Sequence, residues 1–259
     1  MVLLVGTSGW QYADWRGPFY PRGCPSREWL RFYLDQFATV EVNATFYRLP
    51  TRETVARWAS EAPRDAVFTV KASRYLTHIR RLHDPAEPVA RLLGVVEPLG
   101  SRLGPVLLQL PPHMAVSARD LDATLACFPS GMRVAVEPRD PSWFVDEVQD
   151  VLVRREAALV WADRLGRPTG PLWQTAGWGF VRLHQGSARP EPSYGRAALT
   201  SWVDRVSRVW DVGNADVFVY FNNDPHAAAP ANARTFAGIA TRRGLAVTRV
   251  PRQPIPVGS

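Results

Sequence analysis

The chain of 259 residues contains one lysine and two cysteines, and it has no long apolar run. Each shortage excludes something. Cys24 and Cys127 are too few for a disulfide framework, which points to a reducing, cytoplasmic setting. The opening stretch, MVLLVGTSGW, lacks the basic segment and extended apolar core of a secretory signal. No stretch reaches the ~20 apolar residues of a membrane span, so no membrane partner is expected. No glycine-rich dinucleotide loop follows the first apolar segment, no GxSxG elbow is present, and no HxH or HExxH pair occurs. These absences argue against nicotinamide chemistry, a serine-hydrolase triad and a dedicated metal centre. No cofactor is expected. A divalent metal is disfavoured, and Glu41, Glu137, Asp163 and His184 are the residues that would hold one.

The lysine shortage is the most informative. Arginine supplies 30 of the 31 Lys+Arg residues, and the formal net charge is +7. Such a skew reflects GC-rich coding more than function, although a positive field still attracts phosphates and nucleic acid. Lys71 stands out against it, as an ammonium kept where guanidinium does not substitute.

What is present alternates. Residues 39–49, TVEVNATFYRL, place Val40 and Val42 on one face of a strand and Glu41 and Asn43 on the other. Similar short strands recur as VLLVGTS, VFTVKAS, PVLLQL, RVAVEPRD, AALVWAD, WGFVRLH and DVFVYFNND. Helices are expected between them at about 26–37 (capped by Ser26), 51–62 (capped by Thr51), 86–102, 117–128 (capped by Ser117), 142–155 and 197–211, and a last one in AAPANARTFAGIATRRG. The Gly- and Pro-rich stretch after strand six should not be helical. The aromatic loop GWQYADWRGPFYPRG is either a plug closing the sheet or a ligand platform. The run RYLTHIRRLHD gathers Arg74, His78, Arg80, Arg81 and His83 directly after Lys71. Eight strands alternating with seven helices predict a single (β/α)8 TIM-type barrel domain over residues 1–259, a parallel closed sheet whose tail from about 249 is loosely ordered.

The motifs GTSGWQYADWRGPFYP, TVEVNATFYRLP, FTVKASRYLTH, LLQLPP, VEPRDPSW, VRLH and VYFNND resemble, in this order, the YecE-like family, catalogued as domain of unknown function 72. The resemblance covers nearly the whole chain. It implies a TIM-type barrel and no particular reaction. One departure lies after His184, where the family pattern leads to glycine and this chain has Gln185 before Gly186.

In such barrels the C-terminal strand ends hold the site. Period-two alternation turns Glu41, Asn43, Lys71, Gln109, Glu137, Arg139, Arg182, His184 and Asn222 towards that mouth. Glu41 and Glu137 are candidate general acid and base. Lys71 is suited to hold an anion or, when desolvated, to act as a base or Schiff-base nucleophile. Arg139 and Arg182 suit a bidentate grip on phosphate or carboxylate, with Asn43, Gln109 and Asn222 as further substrate contacts. His184 is a candidate proton carrier. Trp10, Tyr12, Phe46, Tyr47, Trp143 and Tyr194 are aromatics that would stack a base or sugar. The loops QGSAR and PHAAAPANA lead towards helix N-termini and so towards phosphate. The expectation is an enzyme of acid–base, hydrolytic chemistry on a small anionic, phosphorylated or nucleotide-like substrate. Its rivals are a non-catalytic nucleic-acid-binding module, a sugar-processing carboxylate pair and a purely structural ion-pair network.

Overall fold

The computed structural model describes residues 1–210 and 215–257. Residue 211 of the expected helix 197–211 and the last two residues of the tail lie outside this range.

The strands are β1 (Val2–Ser8), β2 (Thr39–Val42), β3 (Val67–Lys71), β4 (Leu103–Gln109), β5 (Val134–Glu137), β6 (Ala158–Leu159), β7 (Trp161–Arg164), β8 (Arg167–Pro168), β9 (Gly179–Leu183), β10 (Asp216–Phe221) and β11 (Ala246–Val247). They pair in the order β6-β5-β4-β3-β2-β1-β10-β9-β7-β8, with β11 added beside β1. The pairs are parallel except β7–β8. The result is a mixed α/β fold built on a curled parallel sheet.

The closed eight-stranded ring expected from the sequence is not what the backbone ladder shows. The expected sixth strand is two pieces. β6 pairs with β5, β7 pairs with β9, and Val160 separates them. Among the described residues no backbone pairing joins β6 to β9, so the ladder is open there. Val160 instead donates its N–H to Val136 O at 2.9 Å, and Leu159 donates its own to the Thr175 hydroxyl at 2.8 Å. The first continues the ladder with β5; the second fills the opposite edge, where a β9 partner would stand.

Period-two alternation separates two cores. Leu3, Val5, Val40, Val42, Val70, Val106, Val136, Val181 and Val219 face the surrounding helices in one large cluster. Leu4, Leu107, Ala135, Ala158, Val160, Phe180, Phe218 and Tyr220 form a second on the concave face. Strands from both halves of the sheet meet there, so it curls far enough to fill its own interior. Above this apolar layer Tyr220 Oη bridges Thr39 Oγ1 at 2.6 Å and Thr69 Oγ1 at 2.8 Å. The next inward positions are the charged strand ends.

The helices are α1 (Trp29–Gln36), α2 (Ala44–Tyr47), α3 (Arg52–Glu61), α4 (Ala86–Val96), α5 (Ala118–Ala126), α6 (Asp146–Arg154), α7 (Arg196–Trp210) and α8 (Ala228–Arg242). Thr51 and Ser117 cap as expected, accepting from Thr54 N and Asp120 N, both at 3.2 Å. Ser26 does not: it opens a 3-10 turn, and α1 starts at Trp29 with no side-chain cap. The expected helix 86–102 ends at Val96 and continues as a 3-10 segment in which Gly100 takes a positive φ of 52°. The expected helix 142–155 is shortened, because Asp140 caps a separate 3-10 turn and α6 begins at Asp146. The stretch after Lys71 forms a π-helical turn, Tyr75–Ile79. At the head of the tail, Arg249 pairs with Asp65 at 2.6 Å and donates to Leu34 O at 2.8 Å.

Close approach of two strands requires glycine at position 6. A Cβ on Gly6 would sit 2.3 Å from Thr39 O, where β1 and β2 converge beneath the mouth. Gly6→Ala should cost about 1–3 kcal/mol by forcing the strands apart. Thermal unfolding checks this, and a midpoint equal to the parent's would show that the strands yield freely.

Candidate active site

The site begins where the apolar interior ends. Ser8, Glu41, Gln109, Glu137 and Arg182 are fully or nearly fully buried at the C-terminal ends of β1, at the middle of β2, and at the ends of β4, β5 and β9. Arg182 organises them. Its Nε and Nη2 donate to the two Glu41 carboxylate oxygens at 2.9 and 2.6 Å, and its Nη1 donates to Glu137 Oε2 at 2.6 Å. Ser8 Oγ donates to Glu41 Oε1 at 2.7 Å. Glu137 Oε1 accepts from Gln109 Nε2 at 3.1 Å and lies 2.9 Å from His184 Nε2. Asn222 Nδ2 is 3.0 Å from His184 Nδ1. An amide nitrogen only donates, so Nδ1 is the acceptor and the ring proton sits on Nε2, directed at Glu137.

Burial alone would disfavour the Glu137 carboxylate, but Arg182, then His184 and Arg139, outweigh it and hold its carboxyl well below the usual range. Burial likewise opposes the Arg182 charge, and Glu137 and Glu41 more than offset it, so the guanidinium stays protonated. Four hydrogen bonds and 1% exposure commit Arg182 to the buried network and not to the cavity wall. Arg182 also occupies the space between the two carboxylates, where a sugar-processing pair would hold its scissile bond.

Arg139 and Lys71 are the cations next to this network that Arg182 leaves to meet an anion, and Arg164 also lines the cavity above it. Arg139 is half-exposed and reaches Glu137 Oε1 at only 3.4 Å. Lys71 Nζ lies 4.1 Å from the centre of the Phe46 ring and makes no hydrogen bond or ion pair among the described residues. Burial, reinforced by Arg182 and Arg139, brings its pKa down to about 8 against the pull of Glu41 and Glu137.

A cavity of about 550 Å³ opens above this network. Glu137, His184 and Asn222 line it, and Arg139, Asp163 and Phe144 are on its walls. Asp163 fixes the loop from below: its Oδ1 accepts from His184 N at 2.7 Å and from the Tyr194 hydroxyl at 2.6 Å. Burial raises the Asp163 pKa, with the Tyr194 hydroxyl opposing it.

The structure therefore brings together Glu41, Gln109, Glu137, Arg139, Arg182, His184 and Asn222, with Lys71 beside them. Asn43 stands apart as the N-cap residue of α2, and its Oδ1 is buried without a partner. Among the aromatics, Trp10 is buried edge-on against Trp58, and with Trp15, Phe19 and Tyr20 it belongs to the plug. Trp143 is fully buried, with Nε1 donating to Met114 O. Tyr194 holds Asp163. Tyr47 is 81% exposed, on the outer side of Phe46. In the loops read as phosphate-seeking some N–H groups are occupied: Gly186 N donates to Pro192 O and Ala188 N to Ser193 O, both at 2.9 Å. His226 N, ahead of α8, donates to Asp14 Oδ2 at 2.8 Å.

Sequence reasoning missed Ser8 and Asp224. Ser8 was within reach, because it continues the inward series Leu4, Gly6 on β1. Asp224 follows β10; its carbonyl accepts from Trp15 Nε1 at 2.8 Å and its Oδ1 is buried without a partner. Burial, with Glu41 nearby and only the Tyr12 hydroxyl opposing strongly, raises its pKa to about 7. Nothing in the local pattern marks it.

Among the described residues no three of His, Cys, Asp and Glu converge as a metal site. Glu41, Glu137 and Asp163, the carboxylates considered for that role, are committed to Arg182, His184 and Tyr194.

A family model described as "Protein of unknown function DUF72" matches residues 4–255. The chain belongs to the DUF72 family. This DUF72 protein is 29% identical over 157 residues to the UPF0759 protein YecE of Escherichia coli (strain K12), a match spanning 60% of this chain and 54% of YecE. The match thus spans about half the length of that relative. Identity to the UPF0759 protein YunF of Bacillus subtilis (strain 168) is 23% over 282 residues, covering 93% of this chain and 99% of YunF. The crystal structure of a DUF72 family protein (TM1631) from Thermotoga maritima MSB8 superposes with a TM-score of 0.80 at 25% identity, over 93% of this chain and all of that one. A DUF72 family protein (EF0366) from Enterococcus faecalis V583 shares the fold, with a TM-score of 0.76 at 18% identity over 93% of this chain and 96% of that one.

Proposed function

We infer that this DUF72 protein is an enzyme that acts by acid–base chemistry, hydrolytically, on a small phosphorylated or nucleotide-like substrate at the C-terminal mouth of the sheet. The observation carrying this reading is the chain Glu41–Arg182–Glu137–His184–Asn222, which runs from a fully buried carboxylate to the lining of the cavity. A network serving packing alone has no need to end on a solvent-reaching imidazole beside a half-free arginine. In this reading Arg139 holds the anion and the His184–Glu137 pair moves the proton. Glu41 and Arg182 position Glu137, and Lys71 adds positive charge. The fold is read as a single domain whose two sheet ends join through the split sixth strand. Two free cysteines support a cytoplasmic setting, and no helix among the described residues is long and apolar enough to cross a membrane.

Phosphate release from a panel of phosphomonoesters and nucleotides tests the reading. His184→Gln should lower kcat by about 10²–10⁴-fold, while Arg139→Ala should chiefly raise KM. Both lie at or near solvent and should leave the thermal midpoint nearly unchanged. Absence of turnover and of ligand-induced stabilisation across the panel would sink it, and salt-sensitive binding of oligonucleotides in its place would favour the nucleic-acid module.

A further inference from the structure

We propose that Lys71 is a nucleophilic amine that forms an imine with a small aldehyde or ketone carrying an anionic group. The inference shares the mouth with the reading above but not its reaction, and the two fail independently.

Three independent observations converge on Lys71. The first is compositional: of 31 cationic side chains 30 are arginine, and guanidinium cannot form an imine under these conditions, whereas an amine can. The second is the partner count. Every other charged group in the buried layer is engaged, and Arg182 takes both Glu41 and Glu137 at 2.6–2.9 Å. The Lys71 ammonium is therefore left with no carboxylate within ion-pair distance and no hydrogen bond among the described residues, even though the residue is only 8% exposed. A lysine kept for structure is expected to hold an acceptor. This one rests on the face of Phe46, 4.1 Å from the ring centre. Phe46 is itself fixed by the edge of His78, with ring centroids 4.9 Å apart. The third is the surrounding field. Arg182 and Arg139 both act on Lys71 and, with burial, bring its pKa to about 8, so an appreciable fraction of the amine is neutral near physiological pH. In this proposal the half-exposed Arg139, near enough for its charge to act on Lys71, receives the anionic group of the carbonyl compound.

The step balances without any further reagent. The Nζ lone pair adds to the carbonyl carbon as the C=O π pair moves to oxygen. The oxygen then leaves as water, one of its protons coming from the nitrogen and one from solvent, and a C=N bond remains. Overall, a carbonyl and a lysine ammonium give a protonated imine and water.

The sequence makes the test unusually clean, because the only other primary amine of the chain is the Met1 α-amine. The full chain is incubated with glyoxylate or dihydroxyacetone phosphate and sodium cyanoborohydride, and adducts are located by intact mass and peptide mapping. The expected result is a single adduct on the peptide containing Lys71, saturating with half-labelling below about 1 mM probe and suppressed by excess inorganic phosphate. Lys71→Arg, which keeps the positive charge, should abolish it. An adduct confined to Met1, no adduct with either probe, or Lys71 labelling that rises linearly without saturation would overturn the proposal.

Discussion

Arg182→Met is expected to lower stability by about 3–5 kcal/mol, on the order of 10 °C in thermal midpoint for a chain of this size. The cost comes less from lost attraction than from what the variant leaves behind. Glu41 is fully buried and Glu137 nearly so, and Arg182 supplies three of the short bonds that make their charges tolerable there. Without it two carboxylates face each other in a medium that solvates neither. They would take up protons more readily than in the parent, so the deficit should narrow as pH falls. The triple variant Glu41→Gln, Glu137→Gln, Arg182→Met removes the orphaned charges along with the guanidinium and should recover much of the loss, because a buried ion pair is worth little against a neutral layer of similar volume. Urea denaturation of the three proteins decides the matter. A single Arg182→Met variant within about 1 kcal/mol of the parent at pH 7 would mean that the layer is far better hydrated than its burial indicates.

Asp224→Asn should stabilise the protein at pH 8 by about 2–4 kcal/mol, and the gain should vanish near pH 4. Burial raises the Asp224 pKa from 3.8 to about 7. Between those values the folded chain binds a proton that the unfolded chain has released, so stability falls as pH rises from about 4 through about 7. Below that window both states are protonated. Above it the folded state bears the full cost of an ionised carboxylate with Glu41 nearby and an unpartnered Oδ1. Asparagine has nearly the same shape and does not titrate. Denaturation of both proteins at pH 4, 6 and 8 gives the difference directly, and a constant offset across that range would show that Asp224 is ionised in the fold at every pH.

Much of the architecture was legible along the chain. Alternation in VFTVK, VAVE and VYF identified strands and, with them, which residues turn inward, since side-chain direction in a strand is a property of the local backbone. For the same reason Glu41, Lys71, Gln109, Glu137 and Arg182 were recognisable as one layer before any coordinates. The caps at Thr51 and Ser117 were equally local. The errors lie where a local preference was overruled. Asn43 continues the alternation of β2 on paper, but the chain turns into α2 there. The sixth strand reads as continuous, yet it breaks at Val160, next to Leu159, whose N–H goes to the Thr175 hydroxyl and not to β9.

By itself, then, the amino-acid sequence determined the strand–helix alternation, the absence of a long apolar span and the set of charged residues at the strand ends, because each of these follows from residue type and spacing; the family entered through the resemblance of its motifs. The tertiary structure alone decided who binds whom. Arg182, Glu41 and Glu137 are 45 to 141 residues apart, and only the curl of the sheet makes one guanidinium a partner to both carboxylates, leaves Lys71 without one, and buries Asp224. Charge pairing and desolvation depend on distances of a few ångströms across the fold, and no local pattern in the chain encodes those.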